Sequence, residues 1–208
     1  MHEKEVAWIL LNKKAVLLNP DEPFTYASGI RSPIYCDNRL LISFPKEREQ
    51  IVDFFVDMIE KNKLDAEVIA GTATAAIPWA AFVAQKLGKP MVYVKKKAKG
   101  HGTMKLVEGS LQKGQKVILI EDLISTGGSS LAAIEAIQKA GGEIDTCLAI
   151  FSYQMKKAEQ NFKEKKLKAI TLSNFTALVD VAAQNNYIKG GKKEIILEWN
   201  KDPENWKS

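Results

Sequence analysis

Short apolar runs alternate with segments of helical period through the middle of this 208-residue chain. Such alternation is typical of βαβ units, in which parallel strands form a central sheet and helices cover both of its faces. The sequence therefore predicts an α/β fold. The predicted strands are residues 67–70, 91–94, 116–120, 144–151 and 167–172, and the predicted helices are residues 73–87, 131–140, 155–162 and 175–183.

The segments that flank this core have a different pattern. Residues 1–18 have the period of an amphipathic helix, and residues 24–41 predict two short strands separated by turn signals. A further helix is predicted at residues 45–61, and residues 95–109 are predicted to form a long loop. Because no repeat, low-complexity tract or linker interrupts the sequence, residues 1–208 are predicted to form one domain.

The basic charge of the chain is concentrated in one segment. The formal net charge is +5, which by itself would suggest a nucleic-acid partner. Residues 68–107, however, contain seven lysines and no Asp or Glu, so the remaining 168 residues carry −2. Only three arginines occur in the chain, although arginine is the usual reader of base edges. We therefore expect no nucleic-acid partner, and we expect an anionic ligand at the basic segment.

The cysteine and hydropathy patterns predict a cytoplasmic protein. Cys36 and Cys147 lie far apart and form no CxxC pair, which favours a reducing compartment over a disulfide framework or a zinc site. The longest nearly apolar run, residues 73–84, is too short to span a bilayer and is interrupted by Pro78. Charged residues at positions 3–5 argue against a signal peptide, so we expect no membrane association.

The most specific segment is residues 117–129, VILIEDLISTGGS. A buried strand delivers two consecutive carboxylates, Glu121 and Asp122, and a turn rich in hydroxyls and glycine then opens a helix. Backbone N–H groups of such a turn and the helix N-terminus converge on a phosphate. The acids would repel that phosphate and suit the hydroxyls of a ribose. The alternative is a tight turn in which both acids are solvated and Ser129 caps the helix.

This segment resembles the phosphoribosyl pyrophosphate (PRPP) signature of type I phosphoribosyltransferases. The resemblance implies a type I phosphoribosyltransferase-like fold, with a central parallel sheet flanked by helices and an N-terminal hood. The hood would lie mainly within residues 1–45, and the PRPP-binding core would span about residues 64–185. The resemblance also implies that Glu121 and Asp122 contact the ribose hydroxyls, that residues 125–129 bind the 5′-phosphate, and that Mg²⁺ is bound mainly through PRPP rather than directly by the protein.

Residues 95–102, KKKAKGHG, resemble the mobile catalytic loop of orotate phosphoribosyltransferases. Cations and a general acid near the departing pyrophosphate would stabilise its developing charge. The resemblance assigns catalytic roles to Lys99 and His101, with Asp122 as the third catalytic residue. It also implies a homodimer in which loop 95–109 serves the neighbouring subunit's site. A solvated lysine-rich loop is the alternative.

Two further segments match the same family. Residues 71–78, GTATAAIP, resemble the turn that contacts pyrophosphate, although an alanine-rich helix start is nearly as consistent with them. Residues 24–39 resemble the hood over the pyrimidine, where aromatic and cationic groups would suit the flat orotate anion. The predicted orotate-binding residues are Tyr26, Arg31, Tyr35 and Ser125. Packing roles for the tyrosines and surface ion pairs for Arg31 or Arg39 remain open. The predicted PRPP-binding residues are Thr72, Ala73, Lys95, Lys96, Lys99, His101, Glu121, Asp122, Leu123, Ile124, Ser125, Thr126, Gly127, Gly128 and Ser129.

Two positions depart from the family pattern. Lys95 stands where many members have an arginine, which keeps the charge and loses the bidentate fork. Residues 152–154, SYQ, follow a strand after which some members place an arginine for the orotate carboxylate. The resemblance implies transfer of phosphoribosyl from PRPP to orotate, giving orotidine 5′-phosphate and pyrophosphate in pyrimidine synthesis. A phosphoribosyltransferase for another base and a PRPP-responsive RNA-binding regulator are the alternatives.

Overall fold

A six-stranded sheet forms the centre of the computed structural model, which describes residues 2–26, 29–96, 105–189 and 191–206. The strands in chain order are β1 (Val16–Leu18), β2 (Phe24–Thr25), β3 (Arg31–Ser32), β4 (Ile34–Cys36), β5 (Val68–Thr72), β6 (Met91–Val94), β7 (Val107–Glu108), β8 (Lys116–Ile124), β9 (Glu143–Ser152) and β10 (Lys168–Asn174). The α-helices are α1 (Glu3–Asn12), α2 (Pro45–Lys61), α3 (Ile77–Leu87), α4 (Gly128–Lys139), α5 (Lys156–Glu164), α6 (Phe175–Gln184) and α7 (Lys192–Lys201), and a 3-10 helix spans Asn38–Ser43.

The central sheet is mostly parallel, as the sequence predicts. Its strand order is β10-β9-β8-β5-β6-β7, and β7 alone among these strands pairs in the antiparallel direction, with β6. Strand β8 lies in the interior of the sheet, and its residues 117–121 are buried on both faces. Because helices cover both faces of a parallel sheet, its inner strands are continuously apolar instead of alternating.

Successive side chains of β8 enter different cores. Ile118 and Ile120 point into a core with Phe55, Trp79 and Leu178, which comes mainly from α1, α2, α3 and α6. Val117 and Leu119 point to the other face, where residues of α4 and α5 cover the sheet. This alternation follows from the period of two in a strand. None of the helices in the described ranges is long and apolar enough to cross a bilayer.

The predicted boundaries differ from the structure in the segments around the sheet ends. Helix α1 ends at Asn12, and β1 follows it and pairs with β4, so residues 1–18 are not one helix. The hood contains β2 and β3 as a second antiparallel pair, which gives it four strands. These strands are two or three residues long, too short for their period to be legible in the sequence.

Two differences concern the strand ends that carry the sequence motifs. Helix α3 begins at Ile77 instead of residue 73, with Pro78 in its first turn, because residues 73–76 form a turn. Strand β8 continues through the two acids to Ile124, because Glu121 pairs with Ala149 and Leu123 with Phe151. Helix α7 and strand β7 are further elements that the sequence pattern did not predict.

Candidate active site

A pocket of about 500 Å³ lies at the carboxyl ends of β5 and β8. Ligands of parallel α/β sheets bind at this edge. The pocket brings together residues of the pyrophosphate turn (71–78), the two acids of β8 and the hood's 3-10 helix. Its lining residues are Arg39, Ile42, Thr72, Ala73, Thr74, Ala75, Pro78, Lys96, Glu121, Asp122, Leu123 and Ser129. Seven predicted PRPP-binding residues, Thr72, Ala73, Lys96, Glu121, Asp122, Leu123 and Ser129, are therefore neighbours.

Glu121 is a buried carboxyl group in the pocket wall, only 4% exposed. The hydroxyl of Ser130 donates a hydrogen bond to Glu121 Oε2 at 3.1 Å, and that of Ser129 lies 3.4 Å from the same oxygen. Burial and the neighbouring Asp122 carboxylate raise the pKa of Glu121 to about 8. Because the carboxyl group is buried, the interpretation of a solvated Glu121 at a simple turn is wrong.

Thr72 provides an uncommitted polar group beside this acid. Its residue is 5% exposed, and its Oγ1 has no well-aligned hydrogen-bond partner among the described residues. A buried hydroxyl without a partner costs stability, and such groups in a pocket are typically completed by water or a ligand. The turn that follows, with a cis peptide between Ala73 and Thr74, continues the same wall.

Asp122 is linked to the hood by a side chain that the sequence analysis missed. Asn38 is 1% exposed, and its Nδ2 donates to the backbone carbonyl oxygen of Asp122 at 2.6 Å. Burial raises the pKa of the Asp122 carboxyl group, against the opposing effect of its hydrogen bond with the Glu121 carboxyl group. Arg39 also forms an ion pair with Asp37 at 2.6 Å from Nε to Oδ1. Asn38 lies inside the quoted hood motif, but its sequence context carries no signal of a contact 84 residues away.

The phosphate turn (residues 125–129) leads directly into α4. Gly127 is the N-cap of this helix, with φ of 79°, and no side chain caps the helix end. The interpretation of Ser129 as an N-cap is therefore wrong, because Ser129 lies within the first turn. Helix α5 supports the phosphate turn, since Asn161 Nδ2 donates to the Thr126 carbonyl oxygen at 3.0 Å. Backbone N–H groups at this helix start form the kind of site that binds phosphate.

The other turn residues have contacts outside the lining of the pocket. Ile124 is buried at the end of β8, and its carbonyl oxygen accepts a hydrogen bond from the Tyr153 N–H at 3.0 Å. Ser125 Oγ lies 3.5 Å from Met155 Sδ. Gly128 is exposed in the first turn of α4. The phosphate turn thus adjoins the pocket, and Ser129 is its member in the wall.

The basic residues after β6 occupy different environments. Lys96 is exposed and lines the pocket. Lys95 Nζ forms an ion pair with Glu108 Oε1 at 2.6 Å, and the Lys95 N–H donates to the Leu106 carbonyl oxygen at 2.9 Å. The predicted catalytic residues Lys99 and His101 lie outside the described residues.

The predicted orotate-binding tyrosines have unequal positions. The Tyr26 hydroxyl donates to the Ile34 carbonyl oxygen at 2.7 Å and lies 3.2 Å from the Tyr153 hydroxyl, so it belongs to an interior network. Burial raises the pKa of Tyr26. Tyr35 is 41% exposed, and Arg31 is also exposed. None of these three residues, nor Ser125, is in the pocket lining given above, so their contact with orotate stays a prediction.

The family model for the phosphoribosyl transferase domain matches residues 46–186. The chain belongs to the phosphoribosyltransferase family. The matched range contains the pyrophosphate turn, both acids and the phosphate turn, whereas the hood and α7 lie outside it.

Curated members of this family resemble the chain over nearly its full length. An orotate phosphoribosyltransferase of Coxiella burnetii is 50% identical over 202 residues, covering 97% of each chain. One of Listeria monocytogenes is 52% identical over 204 residues, covering 98% of each chain. The crystal structure of an orotate phosphoribosyltransferase from Aeropyrum pernix superposes with a TM-score of 0.76 at 27% identity, covering 88% of this phosphoribosyltransferase and 99% of that chain.

Proposed function

We propose that this protein is an orotate phosphoribosyltransferase, which transfers the phosphoribosyl group of PRPP to orotate in pyrimidine synthesis. The observation that carries this proposal is the identity of 50–52% to relatives of that name over almost the whole length of both chains. The hood, which would complete the base site, lies within this shared length. A likeness to the PRPP-binding core only would leave the base undetermined, because that core is common to the family.

Different residues in and beside the pocket would bind different parts of PRPP. The phosphate turn and the N-terminus of α4 would bind the 5′-phosphate through backbone N–H groups. Asp122 would accept hydrogen bonds from ribose hydroxyls, and Glu121, whose pKa is raised by burial, would repel the phosphates less than an exposed carboxylate. The unpartnered hydroxyl of Thr72 and the exposed Lys96 would bind the pyrophosphate.

In the proposed reaction, a ring nitrogen of orotate gives up its proton to solvent and forms a bond to C1 of the ribose while the bond from C1 to the pyrophosphate oxygen breaks. Pyrophosphate leaves with the bonding electrons, so nearby positive charge stabilises the transition state. Lys99 and His101 would supply charge and a proton there. Strand β6 precedes the segment that contains Lys99 and His101, and β7 follows it. The two strands pair with Tyr93 opposite Glu108, so the residues before and after this segment lie side by side.

Mg²⁺ belongs to this proposal as a partner of the substrate. Among the described residues, no cluster of three His, Cys, Asp or Glu side chains could hold an ion by itself. Mg²⁺ prefers oxygen ligands, and the pyrophosphate and ribose oxygens of PRPP would supply them. When bound, the ion would neutralise part of the pyrophosphate charge.

A homodimer with loop 95–109 shared between subunits, and a cytoplasmic location, complete the proposal. The family resemblance of residues 95–102 supports the shared loop, and the two unpaired cysteines, Cys36 and Cys147, support a reducing compartment.

The decisive experiment is an absorbance assay with purified dimer, Mg²⁺, PRPP and orotate. We expect loss of orotate absorbance that requires both PRPP and Mg²⁺, and no turnover with adenine or hypoxanthine. Replacing Lys99 or His101 with alanine should slow turnover and leave the thermal midpoint unchanged, with Lys46→Ala, at an exposed position of α2, as the control outside the loop. A folded dimer that consumes a purine base and leaves orotate untouched would refute the proposal.

A further inference from the structure

The C-terminal helix α7 contacts the hood through Trp199. This side chain is fully buried, and its Nε1 donates to the carbonyl oxygen of Arg31 in β3 at 3.0 Å. Its ring lies edge-on to Tyr26 at 6.4 Å and to Tyr153 at 5.8 Å between centroids. Edge-on aromatic contacts and a satisfied indole N–H fix the orientation of such a residue. Helix α7 therefore holds the end of the hood hairpin that carries Arg31.

The next residue of the same helix contacts the opposite side. Asn200 Nδ2 donates to the backbone carbonyl oxygen of Tyr153, just after β9. The Tyr153 N–H in turn donates to the carbonyl oxygen of Ile124 at 3.0 Å, and Ile124 directly precedes the phosphate turn. Trp199 and Asn200 thus reach the hood on one side and the strand end before the phosphate turn on the other.

A second set of hydrogen bonds connects the hood to Tyr153. The hydroxyls of Tyr26 in the hood and Tyr153 lie 3.2 Å apart, and the Ser32 hydroxyl donates to Tyr26 at 3.0 Å. Tyr153 is 4% exposed, so these bonds lie in an interior where an unpaired polar group is costly. The spacing between hood and phosphate turn is therefore set by a buried network that α7 completes.

We propose that Trp199 and Asn200 are positioning residues that fix the distance between the hood and the phosphate turn. This inference rests on the proposed function, in which orotate lies under the hood while the turn holds the 5′-phosphate of PRPP. The predicted PRPP-binding residues of β5, β8 and α4 lie on strands that pair with each other and on a helix that packs in the other core, apart from the buried residues of α7. Loosening α7 would therefore impair orotate binding more than PRPP binding.

The test compares Trp199→Phe, which keeps an aromatic ring and loses the N–H, with Ile196→Val, a core change at a fully buried position of the same helix. The loss of one buried hydrogen bond corresponds to about a 3- to 10-fold effect. We expect Trp199→Phe to raise the KM for orotate by that factor, with the KM for PRPP changed less than about 2-fold. Asn200→Ala should give the same split, and Asn205→Ala, which removes an exposed local bond to Asp202, should not.

Amide hydrogen exchange provides a readout that does not depend on turnover. Trp199→Phe should speed exchange in the hood, notably of the Tyr26 N–H that donates to the Ile30 carbonyl oxygen at 2.9 Å, and Ile196→Val should not. Equal changes in both KM values, or the same hood exchange in both variants, would overturn the positioning role. Wild-type protein without orotate turnover would instead refute the proposed function, and the exchange comparison would then decide the positioning role by itself.

Discussion

Gly127 is the residue of the phosphate turn at which we expect an added methyl group to lower the free energy of unfolding most. Its φ of +79° lies in the left-handed region, which side chains disfavour. A Cβ atom built at Gly127 would meet Cε2 of Phe162 at 2.9 Å. Phe162 is 4% exposed in α5, so its ring has little room to move. Gly127→Ala should therefore shift the turn away from α5.

The expected loss of stability has two parts. Forcing alanine into the left-handed region costs about 1–2 kcal/mol, and inserting a methyl group into a packed contact costs about 1–3 kcal/mol. Since alanine also restricts the unfolded chain, which offsets about 0.4–1 kcal/mol, we expect Gly127→Ala to lower the free energy of unfolding by about 3 kcal/mol. The neighbouring Gly128 is the matched control, because its φ is not positive and the nearest atom to its Cβ, Thr126 Oγ1, is 4.0 Å away.

Urea denaturation at one fixed protein concentration measures both variants, so that any self-association affects them equally. Gly128→Ala should change the free energy of unfolding by less than about 1 kcal/mol, in the stabilising direction. Adding Phe162→Leu to Gly127→Ala should recover part of the loss, because it removes the clash and leaves the backbone strain. Equal stability of the two alanine variants would refute the reasoning, as would a clash that Phe162→Leu does not relieve. Gly127→Ala should also weaken the thermal shift that PRPP produces.

Two further predictions concern the acids of β8. Because the pKa of Glu121 rises from its ordinary value of 4.5 to about 8 on folding, the native protein holds a proton that the unfolded chain releases, so stability should fall as pH rises from about 4.5 to 8. Glu121→Gln should flatten that fall by a few kcal/mol, and thermal midpoints measured across this range that keep the wild-type slope would contradict the assignment. Asn38→Ala should lower the free energy of unfolding by about 1–3 kcal/mol and raise the KM for PRPP, because it removes the bond to the Asp122 carbonyl oxygen. Asn62→Ala, which removes an exposed hydrogen bond to the Met58 carbonyl oxygen, should lower the free energy of unfolding by less than about 0.5 kcal/mol. Equal losses in the two variants would show that the buried hydrogen bond of Asn38 stabilises the protein no more than an exposed one.

The net charge of the basic segment, residues 68–107, predicts a ligand site but does not identify which of its lysines line the pocket. Its seven lysines predict an anionic ligand there, and the turn after β5 and Lys96 after β6 line one pocket. The structure separates those lysines by role, however. Lys96 lines the pocket, whereas Lys86 pairs with Asp53 and Lys95 with Glu108. Net charge is a sum over a whole segment. It contains no information about the direction of each side chain, because that direction depends on the helix, strand or loop that carries the residue.

By itself, the sequence determined the parallel sheet, most of its helices and the position of the predicted PRPP-binding motif. The spacing of apolar residues and the positions of turn residues are local signals, because each can be recognised within a window of about a dozen residues. The tertiary structure decided that Glu121 is buried with a raised pKa, that Asn38 binds the backbone of Asp122, and that Trp199 joins α7 to the hood. Each of these facts depends on residues far apart in the chain. Burial and pKa belong to the packed interior, where distant segments exclude water together, and no local pattern records which segments those are.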